Sequence, residues 1–218
     1  MNAKLPPLSL LETRVLGVLV EKQRTVPDTY PLTLNALTSG CNQKTSRDPV
    51  LIASEAEVQA TIDRLKGLSL IVESSGGRVL RYAHNVERVL GIPSQSVALL
   101  ATMMLRGPQT IGELRVNTDR LHKFADTSAV DAFLRELSSR DAGPLVVELA
   151  RAPGTRETRW MHLLSGQPAR DAAPAAADES TTLDVADLKT SVDQLRDELD
   201  ALKLEVASLR AEIARGQR

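Results

Sequence analysis

Cysteine and aromatic side chains are scarce in this sequence: its 218 residues hold one cysteine, one tryptophan, two tyrosines and two phenylalanines. A lone thiol, Cys41, excludes a disulfide framework and fits a reducing compartment. The opening Met1-Asn2-Ala3-Lys4-Leu5-Pro6-Pro7 has no apolar core of signal-peptide length, so a cytoplasmic location is expected. Long apolar runs are missing as well. Val15 to Val20 and Val97 to Leu105 are too short to cross a hydrocarbon layer of roughly 30 Å and suit buried helices; no membrane partner is expected. Neither sign of charge prevails, with 27 basic against 28 acidic side chains. Signatures of catalysis are lacking too: no Gly-rich loop ending in Lys-Ser or Lys-Thr, no His-Glu-x-x-His, no Gly-x-Ser-x-Gly and no Cys-x-x-Cys. A non-enzymatic protein without cofactor or metal is therefore expected.

What the chain does have is segmentation. Residues 1–90 carry a net charge of +2, 91–166 carry +1 and 167–218 carry −4. Mild positive charge permits nucleic-acid binding without demanding it. Ser9-Leu10-Leu11-Glu12 has the spacing of a capping box and predicts a helix reaching about Lys22, with Leu11, Val15 and Leu19 on its apolar face. Pro27 and Pro31 end it. A short helix is expected over Leu32 to Thr38, with Gly40 placed to terminate it. A second box, Ser54-Glu55-Ala56-Glu57, opens a third helix whose inward residues are Val58, Ile62 and Leu65. A strand over Leu68 to Glu73, a Ser-Ser-Gly-Gly turn and a return strand over Arg78 to His84 complete a hairpin.

The order then repeats. Gln95 to Leu105, Ile111 to Val116 and a helix capped by Asp126 or Ser128 and running to about Ser139 form the second set. Val58, Ala60, Ile62 and Leu65 fall a constant 72 residues before Val130, Ala132, Leu134 and Leu137. Val146-Val147-Glu148 and Arg159-Trp160-Met161-His162 supply the second hairpin. The fold expected is α+β and mostly helical: two tandem winged-helix domains, 1–90 and 91–166, then a flexible Pro/Ala-rich linker, 167–182, and a coiled-coil helix, 183–215.

In that last segment Val185, Leu188, Val192, Leu195, Leu199, Leu202, Val206, Leu209 and Ile213 alternate three and four apart. The a positions are mostly β-branched and every d position is Leu, which favours a parallel two-stranded coil. The g residues Asp184, Glu198 and Glu205 stand five before Lys189, Lys203 and Arg210 at e, so a parallel homodimer sets opposite charges together. Each exposed pair contributes only about 0.3–0.5 kcal/mol, so they choose orientation while the apolar seam supplies stability.

Candidate binding residues follow from where the cations fall. The third helices disappoint as base readers, because their outward positions (Glu55, Gln59, Asp63 and Lys66; Asp131, Arg135, Ser138 and Arg140) include carboxylates that phosphate would repel. Lys44 and Arg47 before the first third helix, Arg78 and Arg81 on the first wing, and Arg151, Arg156 and Arg159 on the second are the candidates for clamping phosphates. Ordinary solubilising surface is the plainer reading of each one singly. His84 and His162 occupy equivalent places in the two repeats, which argues for a structural role rather than a metal site. Cys41 reads as a small buried hydrophobe.

Several stretches resemble the bacterial YceH family. They are Val15-Leu16-Gly17-Val18-Leu19-Val20-Glu21-Lys22, Pro27 to Leu37, Cys41-Asn42-Gln43-Lys44-Thr45-Ser46-Arg47-Asp48-Pro49-Val50, Arg106-Gly107-Pro108-Gln109-Thr110 with Gly112-Glu113-Leu114-Arg115, and Leu121-His122-Lys123-Phe124-Ala125-Asp126. The resemblance covers about residues 8–166. It implies a tandem winged-helix protein and carries across no activity and no catalytic residue. The stretch Asn42 to Pro49 is polar, irregular and without a large apolar residue, so a surface contact is expected of it, with Lys44, Arg47, Asn42 and Gln43 meeting phosphate or a protein carboxylate. The leading expectation is a dimeric DNA-binding protein, a transcriptional regulator. Its rival is a protein-interaction scaffold resembling the tandem winged-helix subunits of chromosome-organising complexes.

Overall fold

The computed structural model describes residues 5–74, 79–151 and 157–167. Arg78, Arg156, the linker from residue 168 and the heptad residues Val185 to Ile213 lie outside the described residues. What is described is α+β, with seven α-helices and two small antiparallel sheets. None of these helices is long and apolar enough to cross a membrane.

The first set comprises α1 (Leu10–Thr25), α2 (Leu34–Cys41), α3 (Glu55–Gly67), β1 (Ile71–Ser74) and β2 (Arg81–His84). After a five-residue α4 (Val86–Leu90) comes the second: α5 (Ser94–Arg106), α6 (Ile111–Thr118), α7 (Thr127–Ser138), β3 (Val146–Glu148) and β4 (Trp160–His162). Local chemistry fixes the helix starts. Ser9, Ser54 and Thr110 each accept from the amide three residues on, while Glu12, Glu57 and Glu113 reach back to the cap amide. Thr33 and Asp126 cap α2 and α7 through a single side-chain bond. In each set the residues just before the second helix also pair with the last strand: Leu32 bridges Tyr82, and Gln109 bridges Trp160. The inward residues of the third helices match position for position, Val58, Ile62 and Leu65 with Val130, Leu134 and Leu137, all buried.

The two sets share one core. Helix α1 is buried without interruption from Glu12 to Val20, and α5 from Ser96 to Leu105. A helix enclosed on all sides has no solvent face to spare, and these two meet each other as well as their own partners. Their contact is close because Gly17 has no side chain: a Cβ there would stand 2.9 Å from Leu105 Cγ. The chain is also tied across at its start, where the Leu8 amide donates to the Leu164 carbonyl at 2.8 Å.

Two expectations about α2 are corrected. The helix begins at Leu34 rather than Leu32, because Leu32 is engaged with the hairpin through Tyr82. Gly40 does not end it. The helix continues through Cys41, and Gly40 is there for close approach, since a Cβ would fall 2.6 Å from Val18 Cγ1. A short β-branched neighbour held in the core cannot swing away. Gly40→Ala is therefore expected to destabilise the protein by about 1–3 kcal/mol, outweighing the roughly 1 kcal/mol that alanine gains in helix propensity. Urea unfolding followed by circular dichroism measures this, and an unchanged or raised midpoint contradicts the close-packing account.

Candidate nucleic-acid interface

The polar stretch after α2 is not a free surface loop. Three side chains fasten it from within. Asn42 pairs with the backbone of Ala53 in both directions, its Nδ2 donating to the carbonyl at 2.8 Å and its Oδ1 accepting from the amide at 2.7 Å. Arg14, wholly buried in α1, donates to the carbonyls of Cys41 (3.1 Å) and Pro49 (2.6 Å), closing both ends of the segment. Burial and the neighbouring Arg47 charge push the Arg14 guanidinium below its ordinary pKa.

Arg47 is the third fastener. Its side chain is fully buried and donates to Glu21 Oε2 at 2.6 Å, Glu21 Oε1 at 3.1 Å and the Gly40 carbonyl at 3.2 Å. Burial of Glu21 would raise its pKa, but the Arg47 fork and the Lys22 charge outweigh this and hold the carboxyl below its usual range. Expected as a phosphate ligand, Arg47 is instead spent inside the protein, because Glu21 lies on the α1 face turned toward the loop. The expectation that packing fails to explain this segment is corrected with it. The segment also docks on the second set, where the Asp48 amide donates to the Leu105 carbonyl (2.8 Å) and Arg106 Nη2 donates to Ser46 Oγ (2.7 Å).

The other described candidates divide. Arg81 is exposed, yet its Nη1 donates to the carbonyls of Pro31 (2.8 Å) and Thr29 (3.3 Å). Arg159 does the equivalent in the second set, donating to the Pro108 carbonyl at 3.1 Å and approaching Glu113 at 3.4 Å. Each arginine pins the segment before the second helix of its set to the final strand. Lys44 and Arg151 are exposed. Lys44 and Arg47 are thus not brought together as one cationic patch, since one faces water and the other the core. On the third helices Arg135 pairs with Asp131 at 2.8 Å and Gln59 Nε2 donates to Asp63 at 3.1 Å; Arg140, expected on α7, lies past its end at Ser138, where its Nη2 donates to the Leu90 carbonyl.

His84, His162 and Cys41 are inward groups. His84 Nε2 lies 2.7 Å from Gln23 Oε1, and its Nδ1 faces the Val86 amide at 3.4 Å, an arrangement that suits a neutral ring with its proton on Nε2. Burial lowers the pKa of His84 to about 4, helped by the Arg24 charge, and burial alone lowers His162 to about 4. Buried Cys41 is pushed up to about 12 by desolvation, which keeps it a thiol.

Against this geometry the comparisons with known proteins decide the family. Residues 8–155 match the family described as "Protein of unknown function, DUF480". The chain belongs to that family. A UPF0502 protein of Dechloromonas aromatica is 58% identical over 199 residues, covering 91% of this chain and 93% of its relative. Relatives in Cupriavidus necator (64% over 177 residues, 81% and 72% covered) and Burkholderia pseudomallei (66% over 168, 77% and 71% covered) bear the same UPF0502 designation. DUF480 membership agrees with the YceH resemblance of the motifs and assigns no activity.

Arg14 and Glu21 are the important residues that sequence reasoning passed over. Their signal was charge on one face of an otherwise apolar helix, two turns apart, with Gly17 between them. Arg47→Gln should leave Glu21 poorly paired and cost about 3 kcal/mol, whereas Lys44→Gln should stay within about 0.5 kcal/mol of the parent. Paired urea titrations test this, and equal midpoints for the two variants would contradict the inward role of Arg47. His84 and His162 set a pH window. Unfolded, each takes its proton near pH 6.5; folded, only near 4. The unfolded chain binds more protons between these values, so stability that is complete above 6.5 should fall as pH drops toward 4. His84→Gln should flatten that decline; an unaltered pH slope of the urea midpoint would place the sensitivity elsewhere.

Proposed function

We propose that this DUF480 member is a non-enzymatic tandem winged-helix protein that acts in the cytoplasm as a protein-interaction scaffold and works as a homodimer. The helix, helix, helix, hairpin order occurring twice supports the winged-helix reading, as does the extra bridge each set makes before its second helix. The observation that carries the choice of partner is where charge ends up. Arg47, Arg81 and Arg159 donate to groups of their own chain, while on α3 the exposed Glu55, Glu57 and Asp63 outnumber Arg64 and Lys66, which pair with Glu12 and Glu73, on the element that would enter a groove. Phosphate is repelled by such a face, and a protein surface carrying lysine and arginine is not. Exposed apolar side chains stand beside it: Ile52 is 96% exposed just before α3, and Val50 is 50% exposed. The heptads from Val185 to Ile213 support pairing of chains, which would multiply weak contacts.

DNA binding is the second reading. Its specific support is that Lys44 and Arg151 remain exposed, on the segment before α3 and next to the second wing. One set of measurements separates the two. The full chain should capture a stoichiometric protein partner that survives nuclease treatment, bind duplex DNA weakly even at low salt, and scatter light with the mass of two chains. Tight duplex binding whose affinity falls steeply with salt, lost in a Lys44→Gln, Arg151→Gln variant, would overturn the scaffold reading in favour of DNA; a single-chain mass would remove the homodimer.

A further inference from the structure

Where the two sets meet, the end of α1, the segment after α2, the end of α5 and the end of α6 line a partly open cavity of about 140 Å³. Its wall includes Lys22, Arg106 and Arg120, with the neutral polar groups Gln43, Ser46 and Asn117 between them. Four of the five stretches that carry the family resemblance contribute to this wall: the first through Glu21 and Lys22, the third through Gln43 and Ser46, the fourth through Arg106 and the last through Leu121.

We propose that this cavity binds a small phosphate-bearing ligand, inorganic phosphate or the phosphoryl group of a small phosphomonoester. Charge is the first argument. The one carboxylate in the wall, Glu21, is held by both oxygens in the Arg47 fork, so that pair cancels. Lys22, Arg106 and Arg120 are left, a local charge of +3. Lys22 shares Glu21 with Arg47, standing 3.5 Å from its Oε2, and donates to Gln43 Oε1 at 3.4 Å, so three cations and the Arg47 guanidinium face a single carboxylate. Three helix C-termini converge here, and each carries about half a negative charge, which offsets about half of the three positive ones. A positive excess remains.

Donor chemistry is the second argument. Two guanidinium groups offer planar forks that match phosphate oxygens, and one ammonium adds a mobile point charge. Arg106 is already oriented by its 2.7 Å bond to Ser46, so little freedom is lost when it binds. Size is the third. A space of this volume takes a phosphoryl group with a few further atoms and does not admit a duplex. The site is separate from the outward faces of α3 and α7, and it stands whichever macromolecule the protein engages.

The test is calorimetric titration of the full chain with inorganic phosphate, with glycerol 3-phosphate, and with chloride at matched ionic strength. Saturable binding of one phosphate or phosphomonoester per chain, absent for chloride, is the expected result. Arg120→Gln, at the exposed rim, should weaken it by about tenfold, as expected for one charge-assisted contact. Gln43→Glu keeps the acceptor oxygen that Lys22 and Arg47 already use, so it preserves the wall while adding negative charge, and it should abolish binding. Arg88→Gln, exposed on α4, should change nothing. Absence of saturable phosphate binding, equal heats with chloride, or full binding by Gln43→Glu would overturn the proposal. So would displacement of bound phosphate by a short duplex, which would make the cavity a contact for DNA backbone.

Discussion

The packing of α1 against α5 is the constraint on which the rest of this molecule depends. Each is the first helix of its set, and each has too much apolar surface for its own set to cover. Burying a Val or Leu side chain contributes roughly 1.5–3 kcal/mol, and nine consecutive residues of α1 together with ten of α5 are buried. The surplus apolar surface is covered by the opposing helix, which is why one core serves both sets and why the approach at Gly17 is so close. Independent domains on a string would leave this surface wet.

That packing dictates what happens to the polar residues beside it. With α1 enclosed, the backbone after α2 runs over a surface where water cannot satisfy every carbonyl, and a buried carbonyl left without a partner is costly. Arg14 and Arg47 answer this, one reaching the carbonyls of Cys41 and Pro49, the other that of Gly40. Arg47 has Glu21 to balance it; Arg14 has backbone dipoles, and its lowered pKa is the visible cost of that choice. Two of the first set's arginines are therefore components of the core. The same logic at lower burial explains Arg81 and Arg159, which stay in water on one side and hold carbonyls on the other.

Features decided within a few residues were legible in the sequence. The Ser9 and Ser54 boxes, the Asp126 cap, the inward faces of the third helices and the two hairpins all follow from local spacing, and all are present. The Thr110 box was there to read and was passed over, and α4 is too short for periodicity to announce it. The fate of Arg47 was not legible. Its partner Glu21 lies 26 residues away, and only the folded chain shows that the α1 face bearing Glu21 looks onto the loop. Gly40 misled for a related reason: a glycine near a helix end satisfies both the rule for termination and the rule for close approach, and only the position of Val18 separates them.

Duplication offers a way to separate scaffold from specialisation. Residues that obey the repeat serve each set in the same way: Val58 and Val130 in the core, His84 and His162 at the ends of the last strands, Arg81 and Arg159 at the pinned segments. Such pairs report what the fold itself requires. Other features break the repeat. Helix α1 carries Glu12, Arg14 and Glu21, while α5 has no charged residue before Arg106 at its end. The connection from α2 to α3 spans 42–54, whereas that from α6 to α7 spans only 119–126. Part of this asymmetry gathers in one place: Glu12 and Arg14 serve the first set, but Glu21, the longer connection and the end of α5 all border the cavity at the seam. Folding two similar sets against each other needs only the apolar faces of α1 and α5, so the polar asymmetry gathered there goes beyond what assembly demands. A function that belongs to the pair of sets, rather than to either alone, has its natural place at that seam.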